Sequence, residues 1–272
     1  SMDDVAIPTD EVSIDPPPGV TEVDRSASTD FASAVEFLYS GNPPVQIGVD
    51  PADIQPHRVA VARGRVLLAD GTGLADVEVS VLAHGEFGYT LTRADGGFDM
   101  AVNGGGSVTV VYRADGFVST QRRIEAPWRD YVWVPDVVMV PFDSEVTEID
   151  LLAGAGVQVA RSSAAKDGAG TRQSTLLFNE GTSASMLFSD GSSEVLETAG
   201  VRATEFTVGP GGPQAMPGDL PPASAYTHCV ELSVDEAVAA DASSVEFSRP
   251  VVYYVENYLA FPVGTAVPTG YY

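Results

Sequence analysis

Lysine is nearly absent from this chain. Lys166 is the only one, and Lys+Arg total 14 against 38 Asp+Glu, a formal net charge of −24. A single lysine cannot staple two β-sandwiches through intramolecular Lys–Asn isopeptide bonds. So few cations leave no basic stripe to neutralise phosphates, which argues against nucleic acid as a partner. An anionic membrane surface is disfavoured on the same ground. Cysteine is equally scarce: Cys229 stands alone, so neither an intrachain disulfide nor a cysteine zinc cluster can form. No stretch reaches the roughly eighteen apolar residues of a membrane span, so no membrane insertion is expected. Ser1-Met2 reads as an expression remnant followed by acidic residues, where a secretory signal would be basic. The chain is therefore expected to be a segment of a longer protein. The acidity itself reads as a solubility device.

What the chain does contain, at 272 residues, is room for one or two domains and a clear strand pattern over residues 64–140. Short apolar runs (Arg65 to Leu68, Val77 to Leu82, Tyr89 to Thr92, Phe98 to Val102, Ser107 to Tyr112) are separated by Asp70-Gly71, Asp95-Gly96-Gly97, Asn103-Gly104-Gly105 and Asp115-Gly116. Val77, Val79 and Val81 alternate with Glu78 and Ser80, so one face is buried and the other wet. Strands at this spacing predict an antiparallel sandwich. Gly96 and Gly104 are expected to take positive φ in its turns.

The same stretch resembles a known family. The string from Gly64-Arg65-Val66 through Asp95-Gly96-Gly97-Phe98-Asp99-Met100 is similar to the carboxypeptidase-regulatory-like (transthyretin-type) β-sandwich. With Gly88 to Tyr112 and the tail from Ala126 to Val140, it resembles the plug-bearing sandwich of teneurins and of bacterial YD-repeat (Rhs-type) proteins. The resemblance implies a location just before a large YD-repeat shell, in a protein that is secreted or displayed on a bacterial surface. It also implies that Trp128, Tyr131 and Trp133 lie near the plug and face that shell.

The remaining organisation is read from composition. Residues 1–29 form an acidic, proline-rich leader that buries too little apolar surface to order itself. Residues 30–57 hold a short helix and an extended linker: Asp30 caps a turn in which Phe31, Ala34, Val35 and Leu38 share a face, and Ser40-Gly41 ends it. The first sandwich is expected over 58–142, with a strand from Val59 to Val66. A second β-rich domain is expected over 143–272, so the fold class is mainly β with two consecutive sandwiches. Its strand-like runs are 143–150, Gly156 to Ala160, Arg172 to Phe178, Ser185 to Phe188, Val201 to Val208, Val245 to Phe247, Val251 to Val255 and Phe261 to Val267. Asp167-Gly168 and Asp190-Gly191 mark hairpins, and Ser233 with Glu236 reads as a capping box for a helix from Val234 to Ala240. Residues 167–182 resemble a hairpin of ZU5-type sandwiches.

Few residues suggest chemistry. His57, His84 and His228 show no i, i+4 metal spacing, and no G-x-S-x-G nucleophile motif occurs. Asp95, Asp99 and Asp115 could offer oxygens to calcium from converging loops, but Asp-Gly is equally what tight turns demand, so neither a metal nor a cofactor is expected. His228-Cys229 is similar to the self-cleaving His-aromatic-Ser sequence of some ZU5-like domains, as a thiol version lacking the middle residue, whereas a buried cysteine in a strand ordinarily packs. The aromatics Trp128, Tyr131, Trp133 and those from Tyr253 to Tyr272 fit either a docking surface or a surface glycan. Three readings follow: a non-catalytic structural module that caps or presents the shell, a glycan- or protein-binding adhesin module, and a self-cleaving domain.

Overall fold

The structure, a computed structural model, describes residues 29–152, 154, 156–206, 212–218, 228–267, 269 and 270. The leader up to residue 28, the end of the run read from Val201 to Val208, and Tyr271 and Tyr272 lie outside the described residues.

Nine strands build the first half: β1 (Gln46–Ile47), β2 (Val59–Leu67), β3 (Glu78–Val81), β4 (Tyr89–Leu91), β5 (Gly97–Asn103), β6 (Gly106–Arg113), β7 (Thr120–Ala126), β8 (Tyr131–Trp133) and β9 (Val137–Val138). One sheet runs in the order β1-β4-β3-β6-β7; the facing sheet runs β5-β2-β8, with β9 also on β2. The alternation read from Val77 to Val81 is realised, since Val79 and Val81 are buried while Glu78 and Ser80 are not. The two sheets meet through Phe98 and Tyr112, whose rings pack edge-to-face at 5.7 Å. The sandwich is not purely antiparallel: β8 and β9 both pair parallel to β2.

The helix is present but broken into α1 (Phe31–Val35) and α2 (Phe37–Ser40), with Asp30 accepting the Ala32 amide proton at 3.0 Å. The break changes the buried face. Ala32, Val35, Leu38 and Tyr39 are buried, whereas Ala34 points to solvent. The stretch expected as linker adds β1 to the edge of the first sheet and puts Ile54 into the same core. Gln46 explains why this edge holds. Its fully buried amide donates to the carbonyls of Phe87 (2.6 Å) and Ala101 (2.9 Å) and accepts from the Ala101 N–H at 2.8 Å. A side chain thereby completes the ladder of β5 as a neighbouring strand would.

The second half has its own core, centred on Ile149, Leu176, Phe178, Met186, Ala199 and Val201. Its strands are β10 (Thr147–Asp150), β11 (Gln158–Arg161), β12 (Ala165–Asp167), β13 (Gly170–Arg172), β14 (Thr175–Phe178), β15 (Ala184–Leu187), β16 (Ser193–Leu196), β17 (Thr198–Glu205), β18 (Val230–Val234), β19 (Ser244–Phe247) and β20 (Val252–Tyr254). They pair as β10-β17-β18, β11-β14-β20, β16-β15-β19 and the hairpin β12-β13, all antiparallel. Two short helices, α3 (Gly212–Ala215) and α4 (Asp235–Ala239), complete it. The protein is thus mainly β.

Several sequence expectations are corrected here. Ser233 belongs to β18 opposite Arg202, and the Glu236 carboxylate accepts from the Gly200 N–H at 2.9 Å, so no capping box forms. No strand forms over Phe261–Val267; Asn257 closes a turn on Phe261 instead, and Pro262 can donate nothing to a ladder. Gly96 has φ +78°, but at the second turn the positive φ belongs to Gly105, not Gly104.

The halves touch through a small cluster of Val118, Phe206 and Met216, flanked by Val140, Phe142 and Cys229. Arg122, buried on β7, donates to the carbonyls of Gln214 (2.7 Å) and Met216 (2.8 Å).

Candidate functional site

The outer face of the β5-β2-β8 sheet carries the residues singled out for contact. Arg63 and Arg65 are the solvent-facing side chains of β2, with Arg63 beside Trp133 on β8 and opposite Asp99 on β5. Arg63 donates to the Asp99 carboxylate, which also accepts from Arg93 at 2.9 Å. The fixed guanidinium lies 4.7 Å from the centre of the Tyr131 ring and 5.6 Å from that of Trp133, within reach of a cation–π attraction. Phe31 of α1 meets Tyr131 edge-on at 5.1 Å. Despite this support the rings remain open to solvent: Trp128 is 64 %, Tyr131 41 % and Trp133 70 % exposed.

Local backbone chemistry aims this segment. Arg129 takes φ +54°, turning the chain from β7 into β8. Gly104 and Gly105 make room for it, since a Cβ on Gly104 would collide with the Pro127 carbonyl and one on Gly105 with the Trp128 indole nitrogen. β8 is the outer strand of its sheet, and the Asp130 carboxylate accepts the Tyr131 N–H at 2.7 Å. That bond occupies one of the few main-chain groups an edge strand would otherwise leave bare.

The three aspartates considered for calcium are used separately. Asp95 accepts the Gly97 N–H at 2.8 Å as turn chemistry requires. Asp99 is not in a loop at all; it lies nearly buried on β5 between two arginines. Asp115 sits in the turn after β6 that packs on Pro141 and Phe142. Among the described residues no group of three acidic, histidine or cysteine side chains is placed to hold a metal ion.

His228 and Cys229 lie in the second half, where the structure also builds a polar network invisible in the sequence. Arg172, 2 % exposed, makes a two-pronged bond to Asp167 (2.7 and 2.9 Å) and is gripped from the other side by Glu205 (2.6 and 2.8 Å), with the Tyr258 ring 4.5 Å away. His228 Nε2 shares a 2.7 Å hydrogen bond with the Tyr253 hydroxyl, which in turn bonds Ser174 at 2.9 Å; its Nδ1 lies 3.7 Å from Glu205. Cys229 is half-buried, and burial together with the carboxylates of Glu231 and Glu205 pushes its thiol above the ordinary range. An acyl shift needs the thiolate, so these surroundings oppose the self-cleavage reading. Of the remaining histidines, His57 is exposed and His84 pairs with Glu86 at 2.8 Å. Tyr253 and Tyr254, neighbours on β20, face opposite sides, with Tyr253 turned to the network and Tyr254 to solvent.

Comparison with known proteins agrees with the architecture of the first half. Residues 54–139 match the family model described as the teneurin TTR-like domain. The chain is 42 % identical to chicken teneurin-1 over 105 residues (38 % of this chain, 4 % of that protein), and 34 % identical to mouse teneurin-3 over 134 residues (47 % and 5 %). It is 46 % identical to Drosophila teneurin-m over 82 residues (30 % and 3 %). The chain thus spans about a twentieth or less of the length of these curated relatives. Among the described residues no helix is long and apolar enough to cross a membrane. The first half of the chain is teneurin-like, and its sandwich is similar to the transthyretin-type domain of those proteins.

Proposed function

We infer that the chain is a non-catalytic structural module of a large, secreted or surface-displayed teneurin-like (Rhs-type) bacterial protein. It comprises two consecutive units, residues 58–142 and 143–272, and precedes a YD-repeat shell that it caps or presents. The outer face around Trp128, Tyr131 and Trp133 is the surface that docks on the shell.

The observation that carries this reading is the exposure of three large rings on one short segment whose backbone is held in place by Gly104, Gly105 and the pairing of β8 with β2. Rings of this size are ordinarily buried. Several exposed rings on a fixed frame mark an interaction site, and aromatic side chains dominate the energetics of such interfaces. The glycan-binding alternative uses the same rings, so one experiment separates the two. Trp133→Ala is compared with the parent chain for binding to the separately produced shell and to a glycan array. Loss of shell binding supports the docking reading. Loss of glycan binding with shell binding intact replaces it with the adhesin reading.

A further inference from the structure

Openings between sheets are closed in different ways among the described residues, and the difference points to a second binding site. In the first half, the edge of β5 is closed by the Gln46 amide, which pairs with both the N–H and the C=O of Ala101. In the second half, the side between β10 and β11 is bridged in the same manner: Gln158 Oε1 accepts from the Asp150 N–H (2.8 Å) and its Nε2 donates to the Asp150 carbonyl (2.7 Å). The groove beside that bridge, about 520 Å³, has Thr147, Arg161 and Ser163 among its lining residues, polar side chains that solvent can hydrate.

The third opening lies between β18 and β20, each the outer strand of its sheet. It is closed at one end by the His228–Tyr253 hydrogen bond. Beyond that point, among the described residues, no side-chain amide spans the two strands. What lies between them is an apolar cleft of about 460 Å³ with Leu176, Phe178 and Val201 at its floor. Leu232 forms one wall and is 47 % exposed although it shares the inward-facing side of its sheet with Ala203. Arg249 stands at the rim with no carboxylate within ion-pair distance among the described residues.

We propose that this cleft receives an extended main-chain strand from a partner polypeptide. The strand is apolar at the alternate positions facing Leu176, Phe178 and Val201, and carries a carboxylate opposite Arg249. The two strand edges, unpaired among the described residues, supply the ladder hydrogen bonds that give strand addition its affinity, and the cleft supplies side-chain selectivity. The alternation follows from the period of two along any strand. At β5 and between β10 and β11 the closing group is an amide that imitates main chain; between β18 and β20, among the described residues, no amide does so and the cleft is left shaped for main chain.

The test is selection of random seven-residue peptides displayed on phage against the whole chain, followed by calorimetry with the enriched peptide. The proposal expects alternating apolar and polar positions with Asp or Glu at one site. Leu232→Arg, at a half-exposed position, should weaken that peptide at least tenfold while far-UV circular dichroism stays that of the parent. Arg249→Glu should shift the selected charge from acidic to basic. N-methylation of the peptide backbone on its paired edge should abolish binding. The proposal is overturned if no sequence pattern is enriched, or if the enriched peptide binds L232R as well as the parent. It is also overturned if decanoate occupies the cleft while the selected peptides tolerate N-methylation, which would make it a lipid cavity.

Discussion

Replacing Gln46 by Met tests whether one side-chain amide holds the first sandwich closed. Methionine has nearly the same length and volume, so the change removes hydrogen bonds without opening a cavity. Three bonds are lost: those to the carbonyls of Phe87 and Ala101 and that from the Ala101 N–H. Gln46 is fully buried, so water does not replace them. Each buried polar group left short of its partner costs about 1–3 kcal/mol, and three such groups that share one relaxing segment give roughly 3–5 kcal/mol in all. At about 2–4 °C per kcal/mol for a chain of this size, Tm falls by roughly 6–20 °C. The assay is guanidinium unfolding followed by tryptophan fluorescence. Both tryptophans, Trp128 and Trp133, lie in the first half, so the signal reports the sandwich in question and not its neighbour. Gln46→Glu should fare no better, since the carboxylate loses both donors and buries a charge. A loss under about 0.5 kcal/mol for Q46M, far below the cost of one unsatisfied group, would refute the reasoning and make the amide incidental.

Three further outcomes are expected. Gly105→Ala should destabilise more than Gly116→Ala in the same unfolding assay: both have positive φ, but only at Gly105 does the added methyl meet the Trp128 indole, whereas at Gly116 the strain alone costs about 1 kcal/mol. Asp167 is held at about 2 by its hydrogen bond from Arg172, below its unfolded value of about 3.9; the stability it contributes is complete above the unfolded value and is lost as pH falls from about 4 through about 2, so Asp167→Asn should flatten that acid limb, and an unchanged limb would deny the pair its role. Cys229, with its thiol pushed up by burial, should react with a disulfide reagent at pH 8 far more slowly in the native chain than in denaturant, and equal rates would contradict its placement.

Much of the first sandwich was legible because its strands alternate and its turns carry Asp-Gly or Gly-Gly. β7 was not. Its inward positions are Thr120, Arg122, Ile124 and Ala126, and an inward arginine disguises the period; Arg122 is buried because the carbonyls of Gln214 and Met216 from the other half receive it, a contact that no local pattern encodes. β1 was hidden for a related reason, since its one inward residue is the polar Gln46. The parallel placement of β8 and β9 on β2 depends on a turn at Arg129 with positive φ, unusual for a non-glycine residue. In the second half, β12 and β16 are too polar to read as strands, and the helix read after Ser233 forms as α4 but without the serine cap, because Ser233 is committed to β18. Within the site, Trp128, Tyr131 and Trp133 could be picked out from the sequence, but Arg63 could not: its place over two of the rings follows from the register of β2 against β8 and from Asp99 across the sheet.

The docking face is tested most directly by measuring, by calorimetry, the affinity of the separately produced YD-repeat shell for the parent chain and for Trp133→Ala, alongside the Tm of each. Burying one large ring at an interface contributes about 2 kcal/mol, so the account predicts roughly thirtyfold weaker binding for the variant. Tm should stay nearly constant, because Trp133 is 70 % exposed in the free chain. Equal affinities for the two chains, or a drop in Tm large enough to explain the loss, would contradict the claim that this face exists to dock.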